Sequence, residues 1–127
     1  MSGGDPAAIV AAVAARGERL TTPCGDGRMV WHRWGSGPTV ALFHGGFGSW
    51  THWIRNVEAL SRHYTVLAAD LPGLGDSALP PEPYDGWSIA RICADGLTEL
   101  VPPGERFHLV GFSFGGVVGG ATAVLLG

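Results

Sequence analysis

The stretch Phe107–Gly116, FHLVGFSFGG, decides how the rest of the chain is read. An apolar run of strand length, Phe107 to Val110, gives way to Gly111-Phe112-Ser113-Phe114-Gly115, a serine with glycines two residues before and two after it. In a chain with 21 glycines the pattern proves little alone, and its weight comes from context. Here a strand leads in and a helix-like segment leads out. A serine at the tip of such a turn takes a strained, positive-φ backbone, and side chains at the flanking positions would collide with the neighbouring strand and helix. Gly111 and Gly115 remove those collisions. The Ser113 hydroxyl is then presented above a sheet, with the free N–H groups and partial positive charge of the next helix aimed at it.

Working outward, the N-terminal segment reads as a short helix with Asp5 as N-cap and Pro6 at its first position. Its acidic residue, with no Lys or Arg ahead of it, makes a poor secretory signal, so a cytoplasmic protein is the expectation. Glu18–Pro23 and Arg28–Trp34, joined through Gly25-Asp26-Gly27, read as a β-hairpin. Thr39–Phe43 is a buried strand stopped by His44-Gly45-Gly46. Trp50, Trp53, Ile54, Val57 and Leu60 then have the spacing of one helix face, with Ser49 placed to cap it. A second buried strand, Thr65–Ala69, ends at Asp70. A Pro/Gly-rich loop, Leu71–Tyr84, precedes an amphipathic helix with Ile89, Ile92, Cys93, Leu97 and Leu100 on its face, and Phe107–Val110 reads as a third buried strand. Strands alternating with helices in this way imply right-handed crossovers and a mostly parallel sheet, with the N-terminal hairpin antiparallel at one edge and helices on both faces: a three-layer αβα arrangement of the α/β class. The expected division is 1–17, an N-terminal helical extension, and 18–127, the N-terminal part of an α/β domain cut off after the Ser113 turn and its helix.

Composition excludes several functions. The net charge is −3 and all eight basic residues are arginines, scattered singly, which argues against nucleic-acid binding through phosphate contacts. The absence of lysine removes P-loop, Schiff-base and Ser-Lys chemistry. Cys24 and Cys93 lie far apart with no ligand-like neighbours, so they read as free buried thiols, and neither a metal nor an organic cofactor is implied. Phe107–Leu126 is apolar and carries small-xxx-small pairs at Gly115/Gly119 and Gly116/Gly120, which raises a membrane-anchored reading. Close packing of a glycine-rich helix beneath a sheet explains the same residues, and no membrane partner is expected. The five tryptophans read mostly as core, with Trp50 placed to line substrate access near His44-Gly45-Gly46.

Three segments together, His44-Gly45-Gly46 after the third strand, Asp70-Leu71-Pro72-Gly73-Leu74-Gly75-Asp76-Ser77 after the fourth, and the Ser113 turn after the fifth, resemble the α/β-hydrolase fold family. The resemblance runs from about Glu18 onward. It implies Ser113 as nucleophile in a nucleophile elbow, and the backbone N–H groups of Phe114 and Gly46 as the oxyanion hole, with Phe47 as the alternative to Gly46. His44, Gly45, Gly111 and Gly115 would shape the site, and the Asp70–Ser77 loop would be structural. A serine instead of an aspartate at the elbow points away from the family's haloalkane dehalogenases and epoxide hydrolases. It points towards carboxylesterases, lactonases, cofactor-free haloperoxidase-like enzymes and carbon–carbon bond hydrolases acting on small carbonyl substrates. HGGFG lacks the proline of the family's HGGPG aminopeptidases.

In this family the acid and the histidine follow the serine in chain order, yet Phe114–Gly127 holds no Asp, Glu or His. Upstream, His44 belongs to the oxyanion turn. His52 and His63 read as helix-surface or helix-end residues, His32 as a hairpin position, and His108 as the middle of a buried strand. Asp70 without a histidine orients nothing. The expectation is therefore an incomplete α/β-hydrolase fold: a fragment of a serine hydrolase, inactive alone, with the fifth strand, Phe107–Val110, an exposed parallel edge and an aggregation hazard. A C-terminal half would complement it. The alternatives are a non-catalytic binding or split-protein module of the same fold and, further off, a membrane-anchored fragment.

Overall fold

The structure, a computed structural model, describes residues 5–127; the first four residues of the expected N-terminal extension lie outside the described residues. Five strands, β1 (Glu18–Cys24), β2 (Gly27–Trp34), β3 (Thr39–Phe43), β4 (Thr65–Ala69) and β5 (His108–Gly111), form one sheet in the order β1-β2-β4-β3-β5. β3 runs parallel to both β4 and β5, while β2 pairs antiparallel with β1 and with β4. The β1–β2 turn is tight, Cys24 pairing with Gly27, and Gly25 takes φ +58 there. This is the mixed α/β sheet of the sequence reading, with its hairpin at one edge.

Alternation along the strands divides the core into two layers. Met29, Trp31, Ala41, Phe43, Leu67 and Ala69 face one way, against α3 (Gly86–Leu100) and α4 (Phe114–Leu126). Trp34, Val40, Leu42, Val66 and Ala68 face the other, against α1 (Pro6–Ala15), a 3₁₀ turn (Trp50–Trp53) and α2 (Val57–Ser61). Odd and even residues of one strand thus enter different cores, as a period of two requires. Asp5 caps α1, with Pro6 at its first position. Asp85 and Ser88 close a capping box on α3. Each supplies a partner for helix N–H groups that would otherwise have none.

Four expectations are corrected. The helix expected through Trp50–Leu60 is a 3₁₀ turn and a five-residue α-helix separated by a turn. Its Trp, Thr, His, Ile, Asn and Val residues are weak helix formers, and Ile54 N–H closes on Thr51 O and Asn56 N–H on Trp53 O, three residues back. Trp50 does not line an opening: it is buried against His32 and Trp34, with ring centroids 4.8 and 5.2 Å away. Trp87, by contrast, is exposed. β5 is the exposed parallel edge expected of it, with β3 its sole neighbour, so the reading of Phe107–Val110 as a buried strand is what fails: His108 and Val110 are exposed. Among the α4 glycines, Gly115 alone is sterically compelled: a Cβ there would lie 2.2 Å from Phe43 O, whereas one on Gly120 would meet nothing within 4 Å.

Both cysteines are free and buried. Burial raises both thiols above their ordinary range, which leaves them un-ionised and inert. Among the described residues, no helix is long and apolar enough to cross a membrane.

Candidate active site

The carboxyl ends of β3, β4 and β5 converge on one corner of the molecule. At the end of β5, Ser113 takes φ 56 and ψ −117, a conformation a non-glycine residue holds only when its surroundings enforce it. The enforcement is steric on both sides. A Cβ on Gly111 would lie 2.3 Å from Gly115 O and 2.6 Å from the Gly116 Cα, and one on Gly115 would strike Phe43 O and His44 O. Phe112 N–H donates to Phe43 O at 3.0 Å and Gly115 N–H to Phe112 O at 2.9 Å, which fixes the elbow to the end of β3. Ser113 itself stands as the N-cap of α4, its side chain exposed and making no capping bond. As the first residue of that helix, Phe114 has an N–H with no intrahelical acceptor.

The turn after β3 lies directly across from the elbow. A Cβ built on Gly46 would be 3.8 Å from the Phe114 Cβ, and one on Gly45 would be 2.9 Å from Phe112 Cδ2. Phe47 has φ 58 and is fully exposed, so no packing of its own side chain holds it there. Gly46, Phe47 and Phe114 together border a cleft of about 360 Å³ whose other walls include Leu79, Tyr84 and Ile89. No charged side chain lines it. A second cleft of about 250 Å³ opens on the other side of the elbow, between Phe112 and the residues His52, Trp53 and Asn56.

His44 is wholly buried and bonded through both ring nitrogens. Leu71 N–H donates to Nε2 at 2.9 Å, so the proton lies on Nδ1, which donates to Gly45 O at 2.6 Å. Burial lowers its pKa, against smaller upward effects of the Gly45 carbonyl and Asp70. The ring stays neutral and ties the end of β3 to the start of the loop after β4. Asp70 is 1% exposed, and both its oxygens accept backbone N–H groups, Trp50 on Oδ1 at 2.8 Å and Asp76 on Oδ2 at 2.9 Å. Ser77 Oγ donates to Asp70 O and accepts from Val30 N–H. The Asp70–Ser77 loop is thus held by its own carboxylate and hydroxyl, and neither is bonded to the elbow.

His52 is where sequence reasoning missed a contact. It is exposed, as a surface position would be, but its ring stands edge-on to Phe112 with centroids 6.1 Å apart, and its Nδ1 accepts from Gly45 N–H at 3.1 Å. The signal available in the sequence was the run of glycines at Gly45, Gly46 and Gly48, which leaves room for a ring laid over the backbone. His32 is buried, stacked on Trp34, with Nδ1 unpartnered, and burial lowers its pKa. His63 sits after α2, and His108 is exposed on β5. Among the described residues, no group of three His, Cys, Asp or Glu side chains could hold a metal ion.

Comparison with known proteins agrees with this architecture. A family model described as alpha/beta hydrolase fold matches residues 38–125. The chain is 37% identical over 93 residues to the bifunctional epoxide hydrolase 2 of Sus scrofa, an overlap that covers 72% of this chain and 17% of that protein. It is 36% identical over 92 residues to the pimeloyl-[acyl-carrier protein] methyl ester esterase of Aeromonas hydrophila, covering 72% of this chain and 34% of that one. A solved Vigna radiata epoxide hydrolase mutant superposes with a TM-score of 0.77 at 27% identity, over 87% of this chain and 35% of its own. The matched region is therefore a minor part of each relative's length. An epoxide hydrolase and an ester hydrolase match nearly equally well, so similarity assigns the fold and leaves the reaction open. The chain belongs to the α/β-hydrolase fold family.

Proposed function

We propose that this chain carries the nucleophile and oxyanion hole of a serine hydrolase acting on an ester, lactone, thioester or related carbonyl substrate. The observation that carries the reading is Ser113 at φ 56 between Gly111 and Gly115, with Phe114 following it and the Gly46 turn across from Phe114. Ser113 Oγ attacks the carbonyl carbon and gives its proton to a base. The developing oxyanion is bonded by the N–H groups of Phe114 and Gly46, or Phe47 in its place. Collapse expels the alcohol or thiol and leaves an acyl-enzyme, which water cleaves by the reverse transfer. Serine at the elbow, by resemblance to the family, supports acyl transfer over the epoxide and dehalogenase chemistries.

Base and acid come, in this reading, from polypeptide outside the 127 residues. His44 and His52 are bonded to the Gly45 turn, and Asp70 to backbone. The exposed β5 edge and the exposed Val110, Val117 and Val124 are apolar surface of the kind a further strand and helix would cover. The same absence favours a second reading, a non-catalytic binding module. Fluorophosphonate labelling read by intact mass, with Ser113→Ala as control, tests both. Adduct at Ser113, in the chain alone or after addition of a complementing C-terminal polypeptide, supports the hydrolase. A folded, complemented protein without adduct supports the binding module.

A further inference from the structure

The backbone of Gly45 is gripped by two imidazoles, one on its carbonyl and one on its N–H. Its carbonyl accepts from His44 Nδ1, and also from Gly48 N–H at 3.2 Å, which closes the turn. Its N–H donates to His52 Nδ1 at 3.1 Å. The His52 ring also lies against the far end of that turn: a Cβ on Gly48 would sit 2.3 Å from His52 Cε1 and 2.4 Å from Nε2. The edge-on contact with Phe112 joins the same ring to the residue before the nucleophile. One side chain therefore touches the Gly45–Gly48 turn and the elbow, the two backbone segments whose N–H groups must converge on a single oxygen.

His52 is also well anchored. Ser49 caps its 3₁₀ turn, and the next N–H, that of Trp50, is bonded to buried Asp70. Phe47, by contrast, holds a strained backbone with its own side chain in solvent, so the turn's shape depends on what grips its ends. We propose that His52 is a positioning residue for the oxyanion hole, its Nδ1 accepting from Gly45 N–H to hold the Gly45–Gly48 turn while its ring sets that turn's distance from Phe112. The proposal rests on the reading of Ser113 as nucleophile.

Two variants separate hydrogen bonding from packing. His52→Phe keeps a ring against Gly48 and Phe112 but has no acceptor for Gly45 N–H. His52→Asn gives up ring area but offers Oδ1 near the place of Nδ1. Removing one oxyanion donor outright costs about 10²–10³ in rate, so misplacing one should slow Ser113 phosphonylation about tenfold in His52→Phe, and His52→Asn should restore it to within about threefold of the unaltered chain. Amide exchange of Gly45 by NMR gives a readout independent of reactivity. Protection should be present in the unaltered chain and in His52→Asn and absent in His52→Phe. Equal labelling rates for the Phe variant and the unaltered chain, or equal Gly45 protection in the two, would overturn the proposal. If the unaltered protein is not labelled even after addition of the complementing C-terminal polypeptide, the nucleophile reading fails instead, and Gly45 protection alone decides whether His52 holds the turn.

Discussion

Adding one methyl group at two positions of α4 should move stability in opposite directions. At Gly115 the new Cβ would lie 2.2 Å from Phe43 O and 2.3 Å from His44 O, both backbone atoms of the strand end that carries the oxyanion turn. Ordinary carbon–oxygen contact begins about an ångström further out, and a backbone carbonyl cannot rotate away as a side chain can. The N-terminus of α4 must therefore shift or tilt. Overpacking of this kind costs about 1–3 kcal/mol. At Gly120 nothing lies within 4 Å, so alanine brings only its better helix propensity, about 0.8–1 kcal/mol in favour of folding. The difference between Gly115→Ala and Gly120→Ala should then be about 2–4 kcal/mol, set by geometry alone since the chemical change is identical. Urea unfolding followed by tryptophan fluorescence measures it, at sub-micromolar concentration so that the exposed β5 edge finds few partners. Gly115→Ala should also lose Ser113 labelling, because the elbow and the oxyanion turn separate. Midpoints shifted in the same direction by similar amounts would refute the argument that Gly115 is required by the approach of β3.

His32 and His44 both have pKa values lowered by burial, so the unfolded chain takes up protons first as pH falls. Stability should accordingly be full above the unfolded value of about 6.5 and decline as pH drops from there through the lowered folded values. His32→Phe, which keeps a ring on Trp34 and removes an unpartnered Nδ1, should flatten that decline; an unchanged pH profile of the urea midpoint would contradict it. Val110→Lys, on the exposed edge strand, should lower self-association in sedimentation velocity without altering far-ultraviolet circular dichroism, and unchanged association would show that β5 is not the sticking edge. Asp70→Ala should destabilise by about 2–5 kcal/mol, since the buried Trp50 N–H and the part-buried Asp76 N–H lose their charged acceptor, and a loss under about 1 kcal/mol in the same urea assay would contradict its part in holding the loop.

Much of this fold is legible because strand and helix periods were written cleanly. β3 and β4 have the residue ranges read from the sequence, and the Asp5-Pro6 start of α1 follows from cap chemistry alone. The elbow was legible for the same local reason: glycine, serine and glycine at fixed offsets state a steric need that Phe43 O and Gly115 O then impose. Trp50–Leu60 was misread because a 3₁₀ turn followed by a short helix places apolar residues at nearly the same spacing as one continuous helix, and the tie that organises the break, Trp50 N–H to Asp70, joins residues twenty positions apart. His52 was hard to read for the complementary reason. Its partner is a backbone N–H, which every non-proline residue carries, and the glycines at Gly45, Gly46 and Gly48 show only that there is room for a ring.

β5 marks where sequence and structure part for a physical reason. Its Leu109-Val110 core is as apolar as the Val40-Ala41-Leu42 of β3, yet every residue of β3 is buried and β5 keeps just one, Leu109, even half-buried among residues 109–111. The strands differ in neighbours: β3 lies between β4 and β5, while β5 has β3 alone. The exposed Val117 and Val124 on α4 repeat the mismatch one layer away. Apolar residues on both faces suit a strand flanked on both sides, and they are costly on an edge. The surface that is costly for these residues in isolation is thus the surface on which the proposed complementing polypeptide would bring an acid and a base towards Ser113, and covering it and completing the site would be one event.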